Sequence, residues 1–243
     1  ELGPNNIGGR TRAILIDNEN PNLIFVGGVA GGLWYSSDAG LTWNQTYPGD
    51  LAEILTVNCI VQDELGYIYY GTGEGVFNGY NEEASGKRTS GYRGRGIFRS
   101  VEPHGTTFMH LESSWIGKET KTVAVNSMTS DGLGNIYAGS KGKLYRTTNR
   151  GEVWSEVNTT SDLQTISGNV YDVKALSNGS VIMAMGNDYY LSLDGEAYSF
   201  TKISNPSGVL TPTTGRSVIA VAPSNENIIY ISRCNSYGSF DGL

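Results

Sequence analysis

Cysteine and histidine are nearly absent, with two of each in 243 residues. Cys59 and Cys234 lie at no metal-ligand spacing, so they encode no zinc module. They read as two small buried side chains, with a disulfide left open. His104 and His110 match no metal-site spacing either and read as solvated surface beside a turn. Charged residues make up 17% of the chain, too few for a disordered polymer. The net charge of −7 leaves no dense basic face for phosphates and argues against nucleic acid as the main partner. No apolar run is long enough to cross a bilayer as a helix. The sequence contains no His-Glu-x-x-His, no Rossmann glycine pattern and no serine nucleophile elbow. "GTGEG", residues 71–75, follows a strand but opens no helix, so it offers no amide cradle for phosphate. No metal and no cofactor are expected. The start shows no secretory signal, which leaves a cleaved leader or a start within a longer chain.

What the sequence does have is glycine, at 33, and tyrosine, at 15. That mixture suits short strands joined by tight turns. It also has an internal repeat. Residues 36–43 read "SSDAGLTW", or Ser-x-Asp-x-Gly-x-Thr-Trp. Residues 147–154, "TTNRGEVW", repeat it with Asn149 in place of the aspartate. Looser copies are "SLDGEAYSF" at 192–200, ending on Phe200, and "SVEPHGTTF" at 100–108, with Glu102 for the aspartate.

The flanks repeat too. Each copy is preceded by an apolar run, a turn, a second run and a short third run. In the first unit these are "RAILID", "NENPN", "LIFVGG" and "LWYSS"; in the fourth they are "VYDVKAL", "SNGS", "VIMAM" and "YYLS". Runs of this length, rich in β-branched and aromatic residues and bounded by Asn, Asp, Gly, Pro or Ser, are strands. The motif joins the third strand to a fourth. Four antiparallel strands per unit of roughly 45 residues describe a blade of an all-β propeller. The units fall at about 10–50, 54–115, 121–160, 168–205 and 215–243, the last incomplete. About four and a half blades are therefore expected, as part of one propeller domain over 1–243 that continues in a longer chain.

The motif resembles the Asp-box, or BNR repeat, of sialidases, sortilin-type receptors and xyloglucan-cleaving propellers. The opening "LGPNNIGGRTRAILIDNENPNLIFVGGVAGGLWYSSDAGLTW" is similar to the first blade of large secreted bacterial surface propellers. The resemblance covers nearly the whole chain; it carries the fold further than the function, because many activities share the motif. It implies that the turn lies between the outer two strands, away from the ligand face. Ser36, Asp38 and Gly40, with Asn149, Gly151 and Asp194, then build turns, and Trp43 and Trp154 anchor them. Trp43 is expected to be largely buried. Asn149 supports a structural role, since an amide cannot be a catalytic acid.

Enzyme readings find no complete catalytic set. The sialidase pattern requires three arginines on a carboxylate, a Tyr–Glu nucleophile and an acid. Arg10 and Arg12 lie near the first strand, but Ala-Ile-Leu follows Arg12 and no motif places a third arginine. The xyloglucan-cleaving relatives place a catalytic aspartate before a Gly-Gly pair in the first blade. Val29 and Ala30 stand in that region here. A polysaccharide-active hydrolase with acids outside these residues is the alternative.

One segment departs from the repeat. "EGVFNGYNEEASGKRTSGYRGR", residues 74–95, lengthens the connection between second and third strands, which in propellers opens on the ligand face. Glu74, Phe77, Tyr80, Tyr92, Arg93 and Arg95 give it the aromatic and arginine content of a recognition surface. Lys141, Lys143, Asn187, Asp188, Tyr189, Arg233, Asn235 and Tyr237 are assigned to the same face by strand order. The expected role is a non-catalytic binding or scaffold propeller, secreted or on a bacterial cell surface, taking a protein or glycan partner. The resemblance adds export by the type IX secretion machinery. Sequons at Asn44, Asn158 and Asn178 are taken as chance.

Overall fold

The computed structural model describes residues 10–46, 56–74, 94–114, 124–158, 160, 164–166, 168–203, 215–235 and 239–242. The chain divides into two compact units, Glu1–Asn126 and Ser127–Leu243. Apart from one 3-10 turn at Glu112–Ser114, regular structure among the described residues is β.

The first unit holds two antiparallel sheets. One is formed in chain order by β1 (Thr11–Ile16), β2 (Ile24–Gly28), β3 (Gly32–Ser36) and β4 (Asn44–Gln45). The other is formed by β5 (Val57–Gln62), β6 (Ile68–Thr72), β7 (Ile97–Ser100) and β8 (Phe108–His110). An aromatic core lies between them. Tyr70 stacks on Phe98 at 4.9 Å between centroids, and Phe25 meets Phe108 edge-on at 6.1 Å.

The second unit holds three sheets. The first comprises β9 (Ser127–Ser130), β10 (Ile136–Ser140), β11 (Lys143–Thr147) and β12 (Ser155–Glu156). The next comprises β13 (Val170–Ala175), β14 (Val181–Met185), β15 (Asp188–Ser192) and β16 (Thr201–Lys202). The last comprises β17 (Ser217–Val221), β18 (Ile229–Cys234) and β19 (Phe240–Gly242). Tyr137, Val173, Met183 and Phe200 lie in one core cluster, and Ile182, Tyr189 and Ile219 lie in another.

There are thus five blades, and the expected four and a half is corrected. Residues 240–242 already pair with β18, through Cys234↔Phe240 and Arg233↔Gly242. Three residues suffice to close a third ladder, so the fifth unit is a sheet of its own. The sequence pattern explains the layering. β6 and β14 are buried at every position and show no alternation of buried and exposed residues. β17 alternates buried and exposed positions over its first four residues.

The first strands carry two devices. Register shifts fall between Thr11 and Ala13, between Val57 and Cys59, and between Val170 and Asp172. The extra residues, Arg12, Asn58 and Tyr171, occupy equivalent places. Bulges re-aim side chains at strand ends. In the second unit, side chains also satisfy backbone groups between first strands. Thr129 Oγ1 accepts the Ala175 N–H (3.1 Å) and Asp172 Oδ2 accepts the Ile219 N–H (2.8 Å). The edges of adjacent sheets are thereby occupied.

Candidate functional site

The repeated turn is a closed hydrogen-bond circuit. Ser36 Oγ accepts the Gly40 N–H (2.8 Å) and donates to Asp38 Oδ1 (2.7 Å). Asp38 Oδ1 accepts the Thr42 N–H (2.8 Å), and Oδ2 accepts the Thr42 hydroxyl (2.6 Å). Gly40 takes φ 90°, which its missing Cβ permits, and Ala39 before it is also left-handed at 58°. The Thr42 hydroxyl first, then its N–H and Ser36, hold the Asp38 carboxyl down at about 2. The 147–154 turn repeats the circuit with Thr147 and Asn149: the Gly151 N–H reaches Thr147 Oγ1 (2.9 Å) and the Val153 N–H reaches Asn149 Oδ1 (3.0 Å). Asp194 accepts the Glu196 N–H (3.0 Å), the first cause of its own lowered pKa. The 100–108 copy has lost this circuit. Its Ser100 Oγ accepts the Ile68 N–H (3.0 Å) instead, and only the Glu102 carbonyl holds Gly105.

Trp154 is buried and Phe200 fully so, but Trp43 is only half-buried. This corrects the expectation for Trp43. Its indole N–H donates to the Gly40 carbonyl (3.1 Å), which ties the ring to the solvent-facing turn.

A charged corner lies at the opposite end of the first unit's sheets. There β6 runs out through Gly73 into Glu74. Gly73 has φ 89°, and a Cβ on it would stand 2.7 Å from the Gly94 backbone and 2.9 Å from Ala124 Cα. Only glycine fits this approach, and the bend delivers Glu74 into the interior with its side chain 1% exposed. Arg10 Nη2 donates to Glu74 Oε2 (2.9 Å). Glu74 Oε1 is in ionic contact with Arg10 Nη2 (2.8 Å) and Arg12 Nη2 (3.3 Å). Arg12 Nε donates to Asn58 Oδ1 (3.1 Å), and Asn58 Nδ2 donates to the Val125 carbonyl (2.9 Å). Arg12 and Asn58 are the two bulge residues of this unit, so the bulges bring the network together.

Sequence reasoning assigned Glu74 to a recognition loop and dismissed Arg10 and Arg12. It missed their union and did not consider Asn58. The available signal was that Glu74 in the second blade stands where the first blade has Ala30, so it needs a partner from outside its own blade. Of the other loop residues, Phe77, Tyr80, Tyr92 and Arg93 lie outside the described residues. Arg95 is placed by its backbone: its N–H donates to Thr72 Oγ1 (2.7 Å) and its carbonyl lies 2.6 Å from His110 Nε2. His104 Nδ1 lies 2.7 Å from Asp17 Oδ2. Both histidines are therefore bonded and partly buried, not solvated. Burial would raise the Asp17 pKa, but bonds from His104 and from the Asn20 and Glu19 N–H groups outweigh it and lower it.

In the second unit, Lys143 pairs with Glu156 and Asp188 with Lys202 (2.6 and 2.8 Å). The Tyr189 hydroxyl meets Ser217 Oγ inside the core (2.8 Å), and Arg233 is buried. Lys141 bridges Asn169, while Asn187 and Asn235 flank β15 and β18. Tyr237 lies outside the described residues. Asn158 is fully buried and its amide bonds the Ile166 carbonyl (3.0 Å), so that sequon is closed to modification. Neither cysteine is in a disulfide, and both are half-buried rather than buried. Among the described residues, no cluster of three or more His, Cys, Asp or Glu side chains is arranged to hold a metal ion.

No family model matches the sequence, and no curated protein matches it. Solved structures do. An ancestral GH74 enzyme matches with TM-score 0.66 at 17% identity, over 94% of this chain and 28% of its own. The extracellular domain of a protein assigned as a hybrid two-component system of B. thetaiotaomicron matches with TM-score 0.64 at 13% identity, over 99% and 28%. YCF48 bound to D1 peptide matches with TM-score 0.61 at 14% identity, over 96% and 63%. This chain thus spans less than two thirds of the length of each of these. At these identities the likeness shows the β-propeller fold.

Proposed function

We propose that this chain is part of a single non-catalytic β-propeller that binds a partner at the outside of a bacterial cell, with the repeated turns acting as Asp-box folding elements. The supporting observation is how its carboxylates are used. Asp38 and Asp194 spend their oxygens on their own turns, and Glu74 is buried between two arginines. Among the described residues, the carboxyl groups with shifted ionisation, Asp17, Asp38 and Asp194, are all shifted down. Glycoside hydrolysis needs a paired acid whose pKa is raised. No helix among the described residues is long and apolar enough to cross a membrane. The likeness to YCF48 bound to D1 peptide favours a protein partner over a glycan.

The second reading is a polysaccharide-active hydrolase with its acids on residues not described here. The GH74 likeness favours it. The deciding experiment incubates the full-length protein with xyloglucan oligosaccharides and with an α-sialoside, and follows product by mass spectrometry. The binding reading expects substrate to survive intact. Turnover that disappears when one carboxylate is changed to its amide would replace it with the hydrolase reading.

A further inference from the structure

We propose that this chain assembles head to tail, with the exposed face of the fifth blade of one copy seated on the exposed face of the first blade of a second copy. This goes beyond the binding role proposed above and does not depend on it. It starts from what covers each sheet. In the second blade, Ile60, Tyr70 and Phe98 form a cross-strand row one residue beyond the bulge pair Cys59↔Gly71. This row shares a core with Leu23, Phe25 and Leu33 of the first blade. Val173, Met183 and Tyr190 form the same row in the fourth blade and share a core with Tyr137 and Leu144 of the third. Ile219 and Ile231 stand opposite each other in the fifth blade and pack with Ile182 and Tyr189 of the fourth. Each of these three junctions joins an acceptor row on one blade to aromatic or aliphatic donors on the blade before it.

Two equivalent faces are left exposed. In the first blade the acceptor row is Ile14, Val26 and Trp34. Ile14 is 67% exposed, and Trp34 and Ile16 on the same face are exposed too. In the fifth blade it is the donor face that is open. Phe25, Tyr137 and Ile182 each sit on a second strand beside the acceptor residue, on the opposite face, and all three are buried. Their counterpart in the fifth blade is Tyr230, which pairs with Ala220 next to the Ile219↔Ile231 pair. Tyr230 is 51% exposed, and Val218 and Ile228 on the same face are also exposed. Exposed apolar faces of this kind mark interaction sites. An acceptor row without a donor and a donor face without an acceptor are complementary, and a contact between such unlike faces of two copies is heterologous. The exposed positions named on the two faces carry no charge, so bringing them together strands none there. Trp34 and Tyr230 supply the large aromatic anchors on which interfaces depend.

The test is sedimentation velocity on the full-length protein and on two variants of it. Wild type should sediment above the monomer mass, increasingly so with concentration. Ile14→Glu spoils the acceptor face and Tyr230→Glu spoils the donor face, so each variant alone should be monomeric. Mixed in equal amounts, the two should form a one-to-one dimer and nothing larger, because one intact donor and one intact acceptor remain between them. Melting curves check that the variants fold. If Ile14→Glu melts early, Ile16→Glu on the same face replaces it, and Val218→Glu does the same for Tyr230→Glu. A wild type that is monomeric at every concentration would overturn the proposal. So would a mixture that stays monomeric. A single variant that still assembles would overturn it too, since like faces would then be pairing. Hydrolysis of a polysaccharide would sink the non-catalytic reading and leave the sedimentation result standing, so the two failures can be told apart.

Discussion

Val57 fills the space that any side chain on Gly27 would need. A Cβ on Gly27 would lie 2.5 Å from Val57 Cγ1 and 3.0 Å from Val57 Cβ. Gly71 and Val125 repeat the relationship, with 2.7 Å to the valine Cβ and Cγ1. Each valine seats on the second strand of the preceding blade as a knob in a hole. Gly27→Ala should therefore overpack the junction and cost about 1–3 kcal/mol in urea unfolding. Val57→Ala leaves a void and also destabilises. The double variant should lose less than the sum of the two, because the new methyl enters the space that the valine vacates. Strict additivity would mean that the two positions do not share that space.

The pH dependence of Asp38 has a definite sign. Its folded pKa, about 2, lies below the ordinary 3.8. Its contribution is present in full above the ordinary value and is lost as pH falls through the folded one. Wild type should lose stability between about pH 4 and about pH 2 by more than Asp38→Asn does. Asn149 shows that an amide can hold the same turn, accepting the Val153 N–H at 3.0 Å. Melting temperatures of both proteins over that window check this. Parallel curves would mean that the Thr42 bonds do not favour the ionised form.

Much of the architecture was legible because strand signals are local. "LIFVGG" and "VIMAM" announce strands by β-branched content and by the turn residues around them. The turn repeat was legible for the same reason, since Ser36, Asp38, Gly40 and Thr42 bond one another within seven residues. The charged corner was not. Arg12 and Glu74 are 62 positions apart and meet only because adjacent sheets bring β1 against the end of β6. Bulges are equally silent in sequence, although they set where Arg12 and Asn58 lie. The histidines were misread because Asp17, which holds His104, belongs to a turn in the neighbouring blade.

Equivalent aromatic positions should differ in energetic weight. Phe200 is 0% exposed within the Tyr137, Val173 and Met183 cluster, so Phe200→Ala should cost about 3–5 kcal/mol. Trp43 is half-buried, and its N–H already faces a turn carbonyl. Trp43→Ala should cost about 1–2 kcal/mol, scaled to the smaller area lost from burial. Urea midpoints of the two variants give the order. A larger loss at Trp43 would show that this ring is covered by residues outside those described.

The three members of the charged corner should not be equal in stability. Glu74 is enclosed, Arg12 is 15% exposed and Arg10 is 51% exposed on their side chains. Removing one partner of a buried pair strands the other charge. Glu74→Ala should therefore cost about 3–5 kcal/mol, because it leaves Arg12 in the interior without the carboxylate beside it. Glu74→Gln keeps the shape and one acceptor, and should cost about 1–3 kcal/mol. Arg12→Ala should fall near Glu74→Ala, since it also strips the donor from Asn58 Oδ1. Arg10→Gln should cost under about 1 kcal/mol, because solvent screens a half-exposed pair and Glu74 retains Arg12. Urea unfolding of the four variants gives this order directly. If Arg10→Gln cost as much as Glu74→Ala, the Arg10–Glu74 pair would be a structural one despite its exposure.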